Sequence, residues 1–291
     1  MKIGVSSYSF SRLVRSGVMS QLDIISKTKE MGFDVIEFST LTLPEGETPL
    51  TFAPKVKEEC DRVGIEIANY TIGGDFINGC NGDLNAEIER LKGEVDVAHI
   101  LGSPGMRHDA AWGFAEGYKG VPSFDAALPR LAEGCRAVTE YAAEKGIKTM
   151  VENHGQFAQD SDRVEKLVTA VDHPNFGLLV DMGNFLCVDE APEHAVGRLM
   201  PYAFHVHAKD FHVKSGNESD PGSGWFTSRG GNYLRGSIIG HGIVPIVQCL
   251  KIMKGKGYDG VLSIEFEGME EPLQGIQVGL ENLRRYVAQV Y

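Results

Sequence analysis

The chain has 291 residues, of which 42% are hydrophobic, and this is enough for one large α/β domain or two small ones. Its formal net charge of -12, from 40 acidic and 28 basic side chains, argues against a nucleic acid or an anionic membrane as partner, because such partners are recognised through a broad positive field. The five cysteines are scattered and never spaced as C-x-x-C, and no run of about 18 apolar residues is present, so we expect a soluble cytoplasmic protein with free thiols.

Strand-like runs alternate with helix-period segments along the whole chain. This alternation favours a parallel sheet with crossover helices. The predicted strands are residues 2–7, 34–39, 65–72, 103–108, 147–152, 176–181, 202–208 and 260–266. The fourth of these is short and contains Pro104, so its prediction depends partly on the rhythm of the other seven.

Helix signals separate the predicted strands. Ser20 and Asp23 have capping-box spacing at the start of the first long helix, and Gly146 follows an apolar stripe in the manner of a C-cap. Eight strand-helix units in 291 residues match a (β/α)₈ TIM barrel, predicted here as one domain over residues 1–291. The long segment 209–242 after strand seven is predicted to be a functional loop.

Four predicted strands deliver a metal-ligand side chain at or near their C-terminal ends. These side chains are Glu152, Asp181, His207 and Glu265. In a TIM barrel these strand ends line one mouth, and three carboxylates with one imidazole suit Mn²⁺ or Mg²⁺ better than a structural zinc. The alternative is that each acid caps a helix or pairs with a base. We favour a metal site, because carboxylates crowded at one mouth repel unless a cation joins them.

Several further residues are predicted to reach the same mouth. His154, two residues beyond Glu152, is a candidate acid/base group, and its alternative is a loop histidine bonded to backbone. Lys209 and Glu267 share the strand parity of the metal ligands, so they are predicted substrate contacts or else solvated rim residues. Other pocket candidates are Glu37, Asn69 and His108. His205 is predicted to be a satisfied core histidine.

The segment 209–242 combines many glycines with Trp225, Phe226 and Tyr233. Glycines allow close approach of backbone to a ligand, and an aromatic face can stack on a sugar ring. Trp225 is therefore a predicted substrate contact within a lid or specificity loop. A contact within a homo-oligomer is the alternative for the same segment.

Sequence segments at four strand ends carry a family resemblance. They are residues 151–154 (VENH), 180–184 (VDMGN), 205–210 (HVHAKD), and 257–260 (GYDG) with 263–265 (SIE). They resemble the sugar phosphate isomerase/epimerase family of xylose isomerase-like barrels. That resemblance implies one divalent ion held by Glu152, Asp181, His207 and Glu265, and two glutamates that exchange protons with substrate. Ketose epimerases of this family usually carry a histidine at the position of Asn184, so Asn184 takes its place among the predicted substrate contacts.

These observations predict a metal-dependent isomerase or epimerase that acts on a sugar or keto-sugar by proton abstraction next to a carbonyl. Catalysis is assigned to Glu152, Glu265 and His154, and the cofactor to Mn²⁺, with Mg²⁺ or Co²⁺ as alternatives. The runner-up is a metal-dependent lyase or dehydratase that acts on a 3-keto sugar or glycoside by β-elimination. A third hypothesis is a non-catalytic barrel that binds a ligand or partner.

Overall fold

A closed barrel of eight parallel strands forms the centre of the molecule in the computed structural model, which describes residues 1–291. The barrel strands are β1 (Lys2–Ser6), β2 (Val35–Phe38), β3 (Glu66–Ile72), β4 (Gly105–His108), β5 (Lys148–Glu152), β6 (Phe176–Asp181), β7 (Ala203–Ala208) and β11 (Val261–Ile264). Between the last two, β8 (Asp210–Lys214), β9 (Phe226–Thr227) and β10 (Tyr233–Ser237) form a second sheet. The short β4 pairs with both β3 and β5. The predicted (β/α)₈ barrel is therefore confirmed.

Helices follow the barrel strands along the chain. They are α1 (Ser11–Arg15), α2 (Asp23–Glu30), α3 (Pro49–Val63), α4 (Leu84–Leu101), α5 (Phe124–Glu144), α6 (Ser161–Val171), α7 (Pro192–Leu199), α8 (Ile246–Gly255) and α9 (Pro272–Val290). Ser20 and Asp23 exchange hydrogen bonds between side chain and backbone at the start of α2, as the capping-box spacing predicts. Gly146 has a φ of 72° after α5, a conformation that glycine adopts without steric cost.

The apolar core lies between the barrel and its helices. Val151, Val180 and Val206 are fully buried members of this core. Because side chains alternate along a strand, the residue after each of these valines points into the barrel. The alternation thus sends Glu152, Asp181 and His207 to the interior at the C-terminal mouth.

The segment 209–242 contains a small antiparallel sheet, where the sequence predicted a loop. Its strands are β8 (Asp210–Lys214), β9 (Phe226–Thr227) and β10 (Tyr233–Ser237), in the order β8-β10-β9. We call this sheet the meander. Its strands are short and the connections between them are rich in glycine, which hid the strands from a search for longer apolar runs. Phe211 and Leu234 bury its inner face together with Cys187.

Two aspartates hold the meander region in place. Asp210 accepts backbone N–H groups from Gly240, Gly242 and Val244 at 2.8 to 3.0 Å. Asp189 accepts the hydroxyl of Ser228 at 2.6 Å, along with the side-chain amide of a neighbouring asparagine. Fixed hydrogen bonds therefore hold the segment that rises over the barrel mouth.

The helices and cysteines agree with the composition. In none of the nine helices do length and apolar character combine to the degree that a bilayer-spanning segment needs. All five cysteines are free, and four of them are buried.

Candidate active site

The four predicted metal ligands converge at the C-terminal mouth of the barrel. Their ligand atoms all lie within 4.8 Å of one another. His207 Nδ1 is 3.7 Å from Glu152 Oε1, 3.6 Å from Asp181 Oδ2 and 3.8 Å from Glu265 Oε1. We call Glu152, Asp181, His207 and Glu265 the carboxylate-histidine cluster.

Two atoms of this cluster are buried without a hydrogen-bond partner. They are Asp181 Oδ2 and His207 Nδ1, which face each other. Leaving one such atom unpaired costs about 1–3 kcal/mol, so a pair of them indicates a missing partner. The other oxygen of Asp181 accepts the backbone N–H groups of Gly183 and Asn184, which fixes the carboxylate. The cluster therefore fits a single divalent cation with mainly oxygen ligands, such as Mn²⁺ or Mg²⁺.

Glu37 lies behind the cluster and orients its histidine. Glu37 Oε1 is 2.7 Å from His207 Nε2, and Glu37 Oε2 is 2.8 Å from His205 Nε2. A proton on Nε2 of His207 leaves Nδ1 with a free lone pair toward the carboxylates, as a metal ligand requires. The predicted substrate contact at Glu37 is corrected here, because its carboxylate is fully buried and lines neither of the two large cavities at the barrel mouth. His205 also contacts Ser263 Oγ at 2.9 Å and is a satisfied core histidine.

The cluster strongly attracts positive charge. Burial opposes the imidazolium form of His207, yet Glu37, Glu265 and the other nearby carboxylates hold its pKa well above the ordinary value. Burial also raises the pKa of Glu265, and the charges of Lys209 and His207 offset this only in part. Without a cation, protons must supply the compensating charge.

Lys209 and Asn184 connect the cluster to its rim. Lys209 Nζ lies 2.5 Å from Glu265, 3.4 Å from Asp181 and 3.5 Å from Glu267. Burial opposes its charge, but these carboxylates keep the pKa of Lys209 well above the ordinary value. Asn184 accepts from Lys209 at 3.1 Å and donates to Glu152 Oε1 at 2.9 Å. Asn184 thereby orients two charged groups of the site at once.

Arg107 is a site residue that the sequence analysis missed. Its Nη2 lies 2.6 Å from Glu152 Oε2 and 3.0 Å from Asp109 Oδ1. Burial alone would raise the pKa of Glu152, but Arg107 and His207 hold it well below the ordinary value. The pairing of β4 with β5 contains the signal for this residue. Arg107 pairs with Met150, which lies two residues before Glu152 and therefore on the same face of β5.

His108 occupies the opposite face of β4 from Arg107. Its ring meets Phe76 edge-on at 5.7 Å, and its Nδ1 bonds the backbone carbonyl of Asp109 at 2.9 Å. It is fully buried and lines no cavity at the mouth, so the predicted substrate contact is corrected. The prediction took His108 rather than its neighbour Arg107 as the residue of β4 that points into the mouth. In a strand, a shift of one residue exchanges the two faces.

The pH dependence of stability tests this placement of His108. Burial lowers its pKa from 6.5 to about 4, so below pH 6.5 the unfolded chain binds a proton that the folded chain does not. Stability is therefore lost as the pH falls through this window, by about 1–3 kcal/mol from this group alone. His108→Asn keeps a donor but does not titrate. We expect its deficit relative to wild type, measured by urea unfolding of metal-free protein, to shrink between pH 7 and 4.5; a constant deficit would contradict the placement.

His154 lies at the rim with one nitrogen held and one free. Its Nδ1 is 3.0 Å from Asp109 Oδ1, and its ring meets Trp112 edge-on at 4.9 Å. Burial opposes its charged form, but the hydrogen bond with Asp109 raises its pKa above the ordinary value. Nε2 makes no hydrogen bond within the protein. His154 can thus hold a proton and present it to a group in the mouth.

Two cavities open over the cluster and meet at its rim. The first, of about 480 Å³, we call the hydroxyl-lined cavity; its walls include Ser11, Ser39, Thr40, Thr42, Thr71, Arg107, Glu152 and Glu265. The second, of about 520 Å³, we call the aromatic cavity; its walls include Gln156, Gln159, Asn184, Lys209, Phe211 and Phe226. Trp112, His154 and Glu267 line both. The structure therefore brings Lys209, Glu267, Asn184 and His154 together at the mouth.

Trp225 lies outside both cavities. Its ring packs against Arg235, whose guanidinium carbon is 5.5 Å from the ring centroid. The neighbouring Phe226 lines the aromatic cavity instead. Trp112, which the sequence analysis did not select, is the tryptophan at the mouth, because the segment after β4 folds across the rim.

Comparisons with known proteins agree with this architecture. A family model described as a xylose isomerase-like TIM barrel matches residues 25–286. An inosose dehydratase from Clostridium botulinum is 26% identical over 182 residues, which are 59% of this chain and 60% of that enzyme, so the match spans less than two thirds of its length.

Two solved structures have the same fold. A 3-keto-D-glucoside 4-epimerase from E. coli superposes with a TM-score of 0.72 at 17% identity, over 98% of this chain and 99% of that one. A xylose isomerase-like TIM barrel protein from Mycobacterium smegmatis, in complex with magnesium, superposes with a TM-score of 0.73 at 17% identity, over 100% of this chain and 98% of that one. At such identities these two structures establish the fold alone.

Proposed function

Since the chain belongs to the family of xylose isomerase-like TIM barrels, we propose that it is a divalent-metal-dependent enzyme that removes the proton beside the carbonyl of a keto-sugar and then expels a group from the next carbon. The reaction is a β-elimination, the chemistry of a lyase or dehydratase. The similarity to a dehydratase supports this choice, because a dehydratase expels water. We propose Mn²⁺ as the resident ion, with Mg²⁺ as the alternative.

The unlike surroundings of the two glutamates are the observation that carries the proposal. Glu152 has both oxygens engaged, one by Arg107 at 2.6 Å and one by Asn184 at 2.9 Å. A carboxylate held by two donors is a weak base. Glu265 has one oxygen engaged, by Lys209 at 2.5 Å; it lines the hydroxyl-lined cavity, and of the cluster's side chains it is the most exposed. We therefore assign proton abstraction to Glu265 and leave Glu152 as a ligand.

A second group can supply a proton to the departing atom. His154 lines the same cavity as Glu265, and Asp109 holds it through Nδ1. Its free Nε2 is suited to protonate a leaving hydroxyl or alkoxide. One base and one separate acid are what an elimination needs.

The metal ligands in this proposal are Glu152, Asp181, His207 and Glu265. A divalent ion bound there would polarise the substrate carbonyl and acidify the neighbouring C–H bond. Lys209 adds a fixed positive charge near the same place, which stabilises the negative charge that develops on the carbonyl oxygen.

Epimerisation is the second candidate function. It is favoured by the fact that Glu152 and Glu265 line the same cavity and come from strands that are not neighbours in the barrel. Two carboxylates on different sides of a substrate could remove and return a proton on opposite faces. The same Glu265 would start either reaction.

Incubation with keto-sugars in D₂O tests the proposal and separates its two forms. With Mn²⁺-loaded enzyme, we expect NMR to show loss of the C–H signal beside the ketone and the appearance of an unsaturated product. An epimer of the starting sugar carrying one deuterium, with no unsaturated product, would favour epimerisation. Absence of any exchange across a panel of 2-keto and 3-keto sugars, with metal bound, would refute proton abstraction.

A further inference from the structure

The mouth of the barrel offers two compartments rather than one. The hydroxyl-lined and aromatic cavities measure about 480 and 520 Å³, and they share Trp112, His154 and Glu267 as a common wall. Pockets for small molecules typically measure about 300–1,000 Å³, so either compartment alone could accept a sugar ring. The second compartment therefore has room for a second group on the same substrate.

The two compartments differ in chemistry. The first carries five serine and threonine hydroxyls beside the charged groups of the site, and these match the hydroxyl groups of a sugar. The second exposes the rings of Phe226 and Trp112 beside the buried Phe211, with the amide of Gln156 and the charged groups of Lys209 and Glu267 at its walls. Two exposed rings suit a flat, partly apolar group that stacks on them and leaves the polar groups at the rim to a few hydrogen bonds. A free monosaccharide would leave these rings without a partner.

From this division, which rests on the function proposed above, we infer that the substrate is a 3-keto glycoside with an aromatic aglycone. Its sugar ring occupies the hydroxyl-lined cavity, and its aglycone occupies the aromatic cavity. The glycosidic oxygen then crosses the shared wall, of which His154 is a part. The group expelled is thus the aglycone and not water.

The reaction balances without any further reagent. Glu265 takes the proton from carbon 2, which lies between the ketone at carbon 3 and the anomeric carbon. The electron pair of that C–H bond becomes the carbon–carbon double bond of an enone. The bond from the anomeric carbon to the glycosidic oxygen breaks, and the oxygen leaves with its electron pair and takes a proton from His154. The products are an unsaturated keto-sugar and the free phenol or alcohol.

Equilibrium binding tests the aromatic compartment independently of catalysis. Using Mn²⁺-loaded protein and calorimetry, we expect phenyl β-glucoside, which has no ketone and cannot react, to bind at least about tenfold more tightly than methyl β-glucoside. Phe226→Ala should abolish this preference. Tyr118→Ala is the matched control, because Tyr118 is an aromatic of comparable exposure, 51% against 41%, that lines neither cavity, and it should keep the preference.

Turnover of an aryl glycoside provides a second test of the aglycone assignment. We expect p-nitrophenyl 3-keto-glucoside to release p-nitrophenol, with a kcat/KM that Phe226→Ala lowers about tenfold or more. Equal binding of the phenyl and methyl glucosides would overturn the aglycone assignment, and so would deuterium exchange of free 3-keto-glucose without p-nitrophenol release from the glycoside. In both cases proton abstraction would stand. Failure of free 3-keto-glucose to exchange would instead count against the proposed function, and the binding comparison would be unaffected.

Discussion

Glu265→Gln is expected to lower turnover by roughly 10²-fold or more while the protein still binds a divalent ion. Glutamine keeps the size of the side chain and one oxygen ligand, but it cannot accept the substrate proton. Both deuterium exchange and product formation should fall together, because both need the base. Glu152→Gln should also lose about 10²-fold, yet for another reason: it removes the charge that Arg107 pairs with at 2.6 Å and leaves that buried guanidinium with Asp109 as its one carboxylate partner.

His154→Gln separates the acid from the base. It should retain deuterium exchange beside the ketone, since Glu265 is intact, and should lose release of the leaving group by roughly 10²-fold. Elemental analysis and circular dichroism of each variant check that metal and fold are retained. Near-normal rates for the metal-loaded Glu265→Gln variant would move the base to another residue, and loss of exchange in His154→Gln would assign that role to the histidine.

The barrel and the cluster could be predicted from the sequence because both depend on local periodicity. Each ligand stands at the end of an apolar run, and the alternation of side chains sends it to the interior. The fold rules then bring the ends of consecutive strands to one mouth. Glu152, Asp181 and His207 follow from those two facts, and Glu265 continues the same parity just beyond β11.

The placement of the other site residues could not be predicted, because it depends on contacts between distant parts of the chain. In β4, with four residues, a prediction cannot fix parity, so Arg107 and His108 were exchanged. Trp112 and Phe226 reach the mouth through irregular segments whose paths periodicity does not describe. The role of Glu37 depends on two histidines about 170 positions away in the chain, and only the closed barrel brings them together.

Glu37 provides the last prediction, which concerns the metal site itself. Because its carboxylate accepts from His207 Nε2 at 2.7 Å, it fixes the tautomer whose Nδ1 is free. In Glu37→Gln the amide can donate to Nε2 instead, which would move the ring proton to Nδ1 and block the ligand atom. We expect the Kd for Mn²⁺ to rise by about 10- to 100-fold, as measured by calorimetry on metal-free protein. Asp181→Ala, which removes a ligand outright, should reduce binding further.

Ser263→Ala is the matched control for this effect. It removes the other partner of His205, at 2.9 Å, and leaves the bond between Glu37 and His207 in place. The affinity for Mn²⁺ should stay close to that of wild type. An equal loss of affinity in both variants would show that packing below the site, rather than the orientation of His207, controls metal binding. Wild-type affinity in Glu37→Gln would remove the tautomer argument, because the neutral amide would then hold the imidazole as well as the carboxylate does.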